Sequence, residues 1–328
     1  MRKVTIKDIA NALGLSTSTV SRVLNDRDDI DENTRKLVKQ KARELGYVPN
    51  MFARALKGKR MRLLGVVIDD NANPFYAEVI KGMEKEARKS GFHLLVVNTG
   101  ANYKEQELAL TFLQSKGIDG ILVAPVNDNH PEDMHIIKIP FVVVGRHFSK
   151  ANFLEVYNDE ETGGYLATRR LLERGCRRIM IIQPDMDIYP VRGRMAGYHR
   201  ALKEFDTNLI DPALELKSSP KNVKSVLKRC LKNGISFDGV FAYNDLYAME
   251  VLSFLFENNI HVPEDVAVVG YDDIPYSKYL YPRLTTIALD EIWLGKKSVE
   301  LLIKSIENKN IRKKQYVQKP ILRVRNSG

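Results

Sequence analysis

Two cysteines in 328 residues, Cys176 and Cys230, with no CxxC pair and no Cys/His cluster, argue against a disulfide frame and a zinc site. Both read as ordinary buried thiols. No apolar run approaches the roughly 18 residues that a spanning helix needs, and Met1-Arg2-Lys3-Val4-Thr5 leads into no apolar stretch, so neither membrane span nor secretory signal is expected. A cytoplasmic location follows as an expectation. Six scattered histidines leave little for acid–base work, and no strand-like run is followed by GxGxxG, a P-loop or a GxSxG elbow. These gaps count against an enzyme and leave no cofactor or metal implied, although the paired carboxylates Asp272 and Asp273 keep that class open. At 44% hydrophobic and 28% charged residues the chain is folded, and its length suggests two to three packed domains.

The formal charge of +10 is unevenly placed. Residues 1–62 hold 15 Lys/Arg against 7 Asp/Glu, whereas the remainder is nearly neutral. A basic head on a neutral body suggests a polyanion-binding module on a carrier with another task. Within the head, Ile6, Ile9, Ala10 and Leu13 recur at helical spacing, Thr5 and Asp8 form a capping box, and Gly14 ends the element. Ser16 can cap a second helix with Val20, Val23 and Leu24 inward. Its other face, Ser18, Ser21, Arg22 and Asn25, is wholly polar and has no core to meet. Asp31 opens a third helix, with Leu37, Val38, Ala42 and Leu45 expected inward.

Two short helices joined by a glycine turn and braced by a third make a helix-turn-helix unit, whose second helix enters the DNA major groove. Thr17 and Ser18 offer hydroxyls and a methyl group to base edges, and Arg22 can make the bidentate contact to guanine. Thr5, Ser16, Thr19, Ser21 and Asn25 would hold phosphates. The alternative is that these hydroxyls merely cap helices.

The runs Val4-Thr5-Ile6-Lys7-Asp8-Ile9-Ala10, Gly14-Leu15-Ser16, Thr19-Val20-Ser21-Arg22-Val23-Leu24-Asn25 and Glu44-Leu45-Gly46-Tyr47-Val48-Pro49-Asn50 resemble the DNA-binding head of the lac repressor family (LacI/GalR type) of bacterial transcription regulators. In that family the positions of Thr17, Ser18 and Arg22 read bases. The window Asn50 to Gly58 is too short for an independent helix and should order only against a partner. The resemblance makes it a hinge helix that pairs with a second copy in the minor groove, Leu56 wedging between base steps beside Ala53, with Asn50 and Arg54 flanking. Packing of Phe52 and Leu56 on the body is the alternative.

From Leu63 onward, short apolar runs alternate with amphipathic helices, the pattern of a parallel α/β sheet. Strands are expected at 63–68, 93–97, 120–124, 141–144, 178–182, 239–243, 266–270 and 285–288, a last helix at 292–307 and a basic strand-like tail at 316–325. Residues 117–124 echo 235–242, and 141–145 echo 266–270. The offset of about 120 residues implies two similar doubly wound subdomains with a cleft between them. The organisation expected is 1–48 head, 49–62 hinge and linker, and 63–328 effector-binding and dimerisation body.

The body resembles the effector domain of the same family, itself similar to periplasmic sugar-binding proteins. On that resemblance Asn73, Phe75, Tyr76, Arg146, Arg194, Asn244 and Asp272 contact the effector, a sugar or sugar derivative. Local roles compete: Asn244 or Asp245 as helix cap, Asp272 as turn former, Phe75 as core. Two departures stand out. Gly145-Arg146 replaces the Asp-Arg pair of many relatives, and no ring-stacking aromatic lies near Ser218-Ser219. Arg146, Arg192 and Arg194 together suggest a cleft cationic enough for an acidic or phosphorylated effector. The sequence therefore reads as an allosteric repressor of palindromic double-stranded operator DNA, acting as a homodimer without an appended coiled coil. A purely architectural DNA binder would leave the body unexplained.

Overall fold

A computed structural model describes residues 4–25, 27, 29–48, 60–311 and 313–328. The positions nominated for the hinge, Asn50, Ala53, Arg54 and Leu56, lie outside the described residues. The chain divides into two compact units, Met1–Met61 and Arg62–Gly328.

In the first unit, α1 (Ile6–Leu13) starts at the expected capping box and ends at Gly14 in the left-handed conformation, φ 64°. Helix α2 (Thr17–Leu24) is capped by the Ser16 hydroxyl and α3 (Glu32–Glu44) by the Asp31 carboxylate. Ile9, Ala10, Val20, Val23, Val38 and Ala42 form the core. Leu37 and Leu45, expected inward, are instead 49% and 37% exposed. The inner stripe of α3 is set by Val38 and Ala42, one turn apart; Leu37 lies about 100° around from Val38, and Leu45 is already the C-cap.

The second unit holds two six-stranded sheets. The first contains β1 (Leu63–Ile68), β2 (His93–Asn98), β3 (Gly120–Val123), β4 (Phe141–Val144), β5 (Glu155–Asn158) and, from the far end of the chain, β11 (Gln315–Gln318). Their order is β11-β5-β4-β3-β1-β2, all parallel. The second contains β6 (Ile179–Gln183), β7 (Glu215–Lys217), β8 (Gly239–Ala242), β9 (Ala267–Asp272), β10 (Thr285–Ala288) and β12 (Ile321–Arg323), ordered β12-β10-β9-β8-β6-β7. Only β12 there runs antiparallel to its neighbour. The two orders match strand for strand, with β3 equivalent to β8 and β4 to β9, which are the segments that echo each other in sequence.

Helices cover both faces of each sheet, so the strands alternate between two cores. Leu64, Val66 and Ile68 of β1 face α4 (Pro74–Lys89) and α10 (Glu291–Ile306), while Val67 faces α5 (Tyr103–Ser115). In the second lobe, Met180 and Ile182 of β6 face α8 (Val223–Lys232) and α9 (Asp245–Glu257). Ile179 and Ile181 face α6 (Glu160–Glu173) and α7 (Tyr189–Phe205). Gly164 lets α6 lie directly on α7, where an added Cβ would overlap the Arg194 carbonyl.

The tail expected as one strand is two, β11 and β12, one in each sheet. Residues between them carry the chain across the lobes, as do those between β5 and α6 and between β10 and α10. The carboxyl ends of the central strands therefore open onto one cleft.

Candidate functional site

The head presents a polar face on α2. Thr17, Ser18 and Arg22 are exposed, whereas Thr19, Ser21 and Asn25 are half-buried. Several of the hydroxyls nominated for phosphates also serve the fold. Thr5 Oγ1 donates to Asp8 Oδ2 at 2.7 Å, and Ser16 Oγ accepts the Thr19 amide at 3.0 Å and lies 2.9 Å from Thr19 Oγ1. Asn25 Nδ2 donates to the Ser21 carbonyl at 2.6 Å. Arg22 is ion-paired with Asp29, both side chains about half exposed. The side chains of Thr17, Ser18 and Arg22 thus project from the N-terminal half and outer face of α2 into solvent, where a base edge could meet them.

In the body, a cavity of about 690 Å³ lies at the carboxyl ends of the strands. It is lined by all seven nominated residues: Asn73, Phe75, Tyr76, Arg146, Arg194, Asn244 and Asp272. Local and lining roles coexist in two of them. Asn73 Oδ1 accepts the Phe75 amide and Asn244 Oδ1 accepts the Tyr247 amide, each at 3.1 Å, so both cap helices that begin at the cavity wall. Phe75 packs edge-on against the buried Tyr76, with ring centroids 5.2 Å apart.

Arg194 organises the floor. Its Nε donates to Glu160 at 2.8 Å, its Nη1 donates to the Tyr243 carbonyl at 2.5 Å, and Asp272 lies 3.8 Å from Nη2. The guanidinium is sandwiched between the rings of Tyr243 and Tyr271, 4.4 and 3.6 Å from their centroids. Burial works against this charge, but Glu160, the two tyrosines and Asp272 outweigh it and hold the pKa above the usual arginine range. Burial pushes the Asp272 carboxyl well up, with Arg194 opposing. The chain turns here with Asp272 at φ 102° and Asp273 at φ 58°.

Arg146 is buried beside it, donating to the Gly145 carbonyl at 3.0 Å. Its Nε and the Oδ1 of Asn158 are buried without a partner among the described residues. Buried polar groups are normally satisfied, so these two are exceptions in the wall of the cavity.

The expectation of a cationic cleft is corrected. Arg192 does not line it but pairs with Asp128 and Asp187, and Arg194 is neutralised by Glu160. Asp69, Asp70, Glu160, Asp185 and Asp272 face the cavity against Arg146, Arg194 and Lys217, so carboxylates outnumber cations. Sequence reasoning had passed over Asp69, Asn158, Glu160 and Tyr243. The visible signal was that each sits at or just beyond a strand's carboxyl end.

Among the described residues no group of His, Cys, Asp and Glu is arranged to hold a metal ion, and no helix is long and apolar enough to cross a membrane.

A helix-turn-helix head with a polar reading face, joined to a two-lobed α/β body that encloses a polar ligand cleft, defines a ligand-controlled DNA-binding regulator. Residues 5–50 match the family described as "Bacterial regulatory proteins, lacI family", and residues 62–324 match "Periplasmic binding proteins and sugar binding domain of LacI family". The chain belongs to the LacI family. It is 31% identical to the HTH-type transcriptional repressor PurR of Aliivibrio salmonicida and 31% identical to the ribose operon repressor of Haemophilus influenzae, in each case over 98% of both chains. Among solved structures it resembles the lac repressor dimer bound to operator and the anti-inducer ONPF, with TM-score 0.90, 25% identity and 99% of each chain covered. The complex of the transcriptional regulator CelR with cellobiose matches with TM-score 0.73 and 28% identity, over 99% of this chain and all of that one.

Proposed function

We propose that this protein is a cytoplasmic, homodimeric transcriptional repressor that reads a palindromic operator and is controlled by a neutral sugar or sugar derivative bound in the cleft. In this reading the functional modules are 1–48, 49–62 and 63–328. Arg22, Thr17 and Ser18 read bases, while Thr5, Ser16, Thr19, Ser21 and Asn25 meet phosphates. Asn50, Ala53, Arg54 and Leu56 act in the minor groove. The relatives' functions are repression rather than catalysis, which supports a non-enzymatic role.

The observation that carries the effector assignment is the constellation of a buried Arg194 locked between Glu160 and Asp272, with Arg146, Asn158 and Asn244 lining the same cavity. Sugar hydroxyls donate and accept at once, so they suit a wall that offers both donors and acceptors, Arg146 and Arg194 beside Asn158, Asn244 and Asp272. Phe75 and Tyr76 supply an apolar wall for a ring face. A cavity lined by more carboxylates than cations disfavours an acidic effector. Ligand and operator are linked, so an effector that alters DNA affinity has its own affinity altered by DNA by the same factor.

The test is to select duplexes from a random pool with the full-length protein and then titrate neutral sugars and sugar phosphates against the winning complex by calorimetry and fluorescence anisotropy. Operator release or tightening by neutral sugars supports the assignment. A response confined to phosphorylated or carboxylated compounds refutes it.

A further inference from the structure

One flank of the cleft carries a set of contacts between the lobes that neither the reading face nor the effector cavity uses. The loop after β3 contributes Asp128, whose side chain is fully buried, and Asn129. The segment after β6 contributes Asp187, Tyr189 and Arg192 from the opposite lobe. Asp128 Oδ2 accepts the Tyr189 amide at 2.6 Å and its Oδ1 accepts Arg192 Nη2 at 2.6 Å. Asn129 Nδ2 donates to the Asp187 carbonyl at 3.0 Å and to its carboxylate at 2.8 Å, and Arg192 Nη1 closes the circuit to Asp187 at 2.9 Å.

Tyr189 inserts into the first lobe. Its hydroxyl donates to the Asn158 carbonyl at 3.0 Å, and its ring stands edge-on to both His147 and Tyr157, with centroids 5.5 and 5.4 Å away. Those two rings are themselves stacked at 4.7 Å, and His147 Nδ1 lies 2.8 Å from the buried Glu155. The socket for Tyr189 is therefore built from rigid parts of the first lobe.

We propose that Asp128, Asn129, Asp187, Tyr189 and Arg192 form a clasp that holds the lobes closed before any effector arrives, with Asp128 as its central positioning residue. The contacts of Asp128, Asn129 and the Tyr189 hydroxyl cross from one lobe to the other, with Arg192–Asp187 bracing the second-lobe side, so rotation about the three crossover segments must break the crossing contacts together. Opening trades the charge-assisted hydrogen bonds that Asp128 makes to Arg192 and to the Tyr189 amide for water, so the closed arrangement is favoured by the net worth of those bonds. The clasp also shares a segment with the effector cavity: Ile188, Pro190 and Arg194 line the cavity, while Asp187, Tyr189 and Arg192 alternate with them in the clasp. Whatever a ligand does to the first set is transmitted to the second through one short stretch of backbone and helix. By population shift, a protein held closed binds a closure-preferring ligand more tightly than one that must first close.

The proposal rests on the two-lobed cleft being the regulated element, and its test is independent of any effector. Nitroxide labels at Lys104→Cys and Lys203→Cys, exposed positions on opposite lobes, report lobe separation in the full-length chain by electron–electron double resonance. Cys176 and Cys230 are buried and burial raises both thiols, Cys176 to about 11, so they react slowly with the label. With doubly labelled chains diluted into an excess of unlabelled chain, so that only intrachain pairs are read in the dimer, the otherwise unaltered protein is expected to give one distance population. Asp128→Asn and Arg192→Ala should each add a longer distance, changing the closed-to-open ratio about tenfold or more, and the double variant should go little further than either single one. Arg192 is 40% exposed, so Arg192→Ala decides the matter if Asp128→Asn fails to fold. An unchanged distance distribution in folded Arg192→Ala overturns the clasp. Lobes that open while affinity for a selected palindromic duplex stays constant would leave the clasp standing and instead sink the coupling of cleft to operator.

Discussion

Replacing Glu291 by Gln should make the body more stable at alkaline pH and leave it nearly unchanged at acid pH. Glu291 is the first residue of α10, where the chain has just crossed between lobes. Burial is the main influence on its carboxyl, the helix amide beside it pulls the other way, and Asp273, Asp290 and Glu78 add repulsion; together they push the pKa from 4.5 to about 8. Below pH 4.5 the group is protonated whether the chain is folded or not. Between pH 4.5 and 8 the folded form binds the proton and the unfolded form does not, so stability falls steadily as pH rises through this window and the loss is complete above it. At 1.36 kcal/mol per pH unit the ceiling is about 5 kcal/mol. Glu291 is partly exposed, and solvent screening brings the expected effect nearer ~2 kcal/mol. The assay is urea unfolding at pH 5.5 and pH 9, followed through Trp293, the sole tryptophan, whose amide donates to Asp290 at 2.8 Å on the same turn. Asp245, raised by burial to about 6, contributes a slope of the same sign to both proteins and cancels in the comparison. A Glu291→Gln protein that gains no more over wild type at pH 9 than at pH 5.5 would refute the reasoning.

Arg22→Ala should lose about 1–3 kcal/mol of discrimination between a selected operator and the same duplex with its contacted guanine replaced, measured by competition binding at fixed salt. Binding to random duplex should change far less, and equal losses on both would remove Arg22 from the base-reading set. Glu160→Gln leaves Arg194 with Asp272 at 3.8 Å as its remaining carboxylate and should destabilise the body by about 3 kcal/mol in urea melts, with weaker effector binding in the folded fraction. Gly164→Ala forces a methyl into the Arg194 carbonyl across the α6–α7 contact and should cost about 1–3 kcal/mol.

Much of this architecture was legible because strand and helix patterns repeat, and what was missed failed for local reasons. The eight expected strands all form. Strand β5 escaped notice because Glu155, Tyr157 and Asn158 break the apolar pattern, yet all are buried: His147 and the Phe148 amide satisfy Glu155, a compensation that no local window reveals. Strand β7 has three residues, none fully buried. Leu37 and Leu45 were read by hydrophobicity alone, whereas the angular position of Val38 and Ala42 fixes which side of α3 is inside. In the cleft, the seven nominated residues came from the family resemblance; six of them also lie at a strand end or in a first helical turn, whereas Arg194 sits inside α7 and position alone would not have marked it. Glu160 also opens a helix, but an acidic residue in a first helical turn is expected for dipole reasons alone, so its reach to Arg194, 34 residues away, leaves no mark on the sequence. Arg192 was misassigned for the converse reason: two residues from Arg194 on a helix, it points elsewhere, at Asp128.

The internal repeat could have taken the reading further. Strands β4 and β9 hold equivalent places in the two sheets, and both leave the sheet through residues of positive φ: Gly145 at 68°, then Asp272 and Asp273 at 102° and 58°. One lobe uses that turn to deliver Arg146 to the cavity, and the other uses it to deliver Asp272. Glycine adopts the left-handed turn without strain, whereas aspartate tolerates it at some cost and returns a carboxylate. Two halves of common topology thereby present unlike groups to the cleft, a guanidinium from one and a carboxyl from the other. On the proposed reading a polyol, which donates and accepts along its length, would meet both groups, and Gly145 leaves room beside Arg146, since a Cβ there would meet nothing within 4 Å.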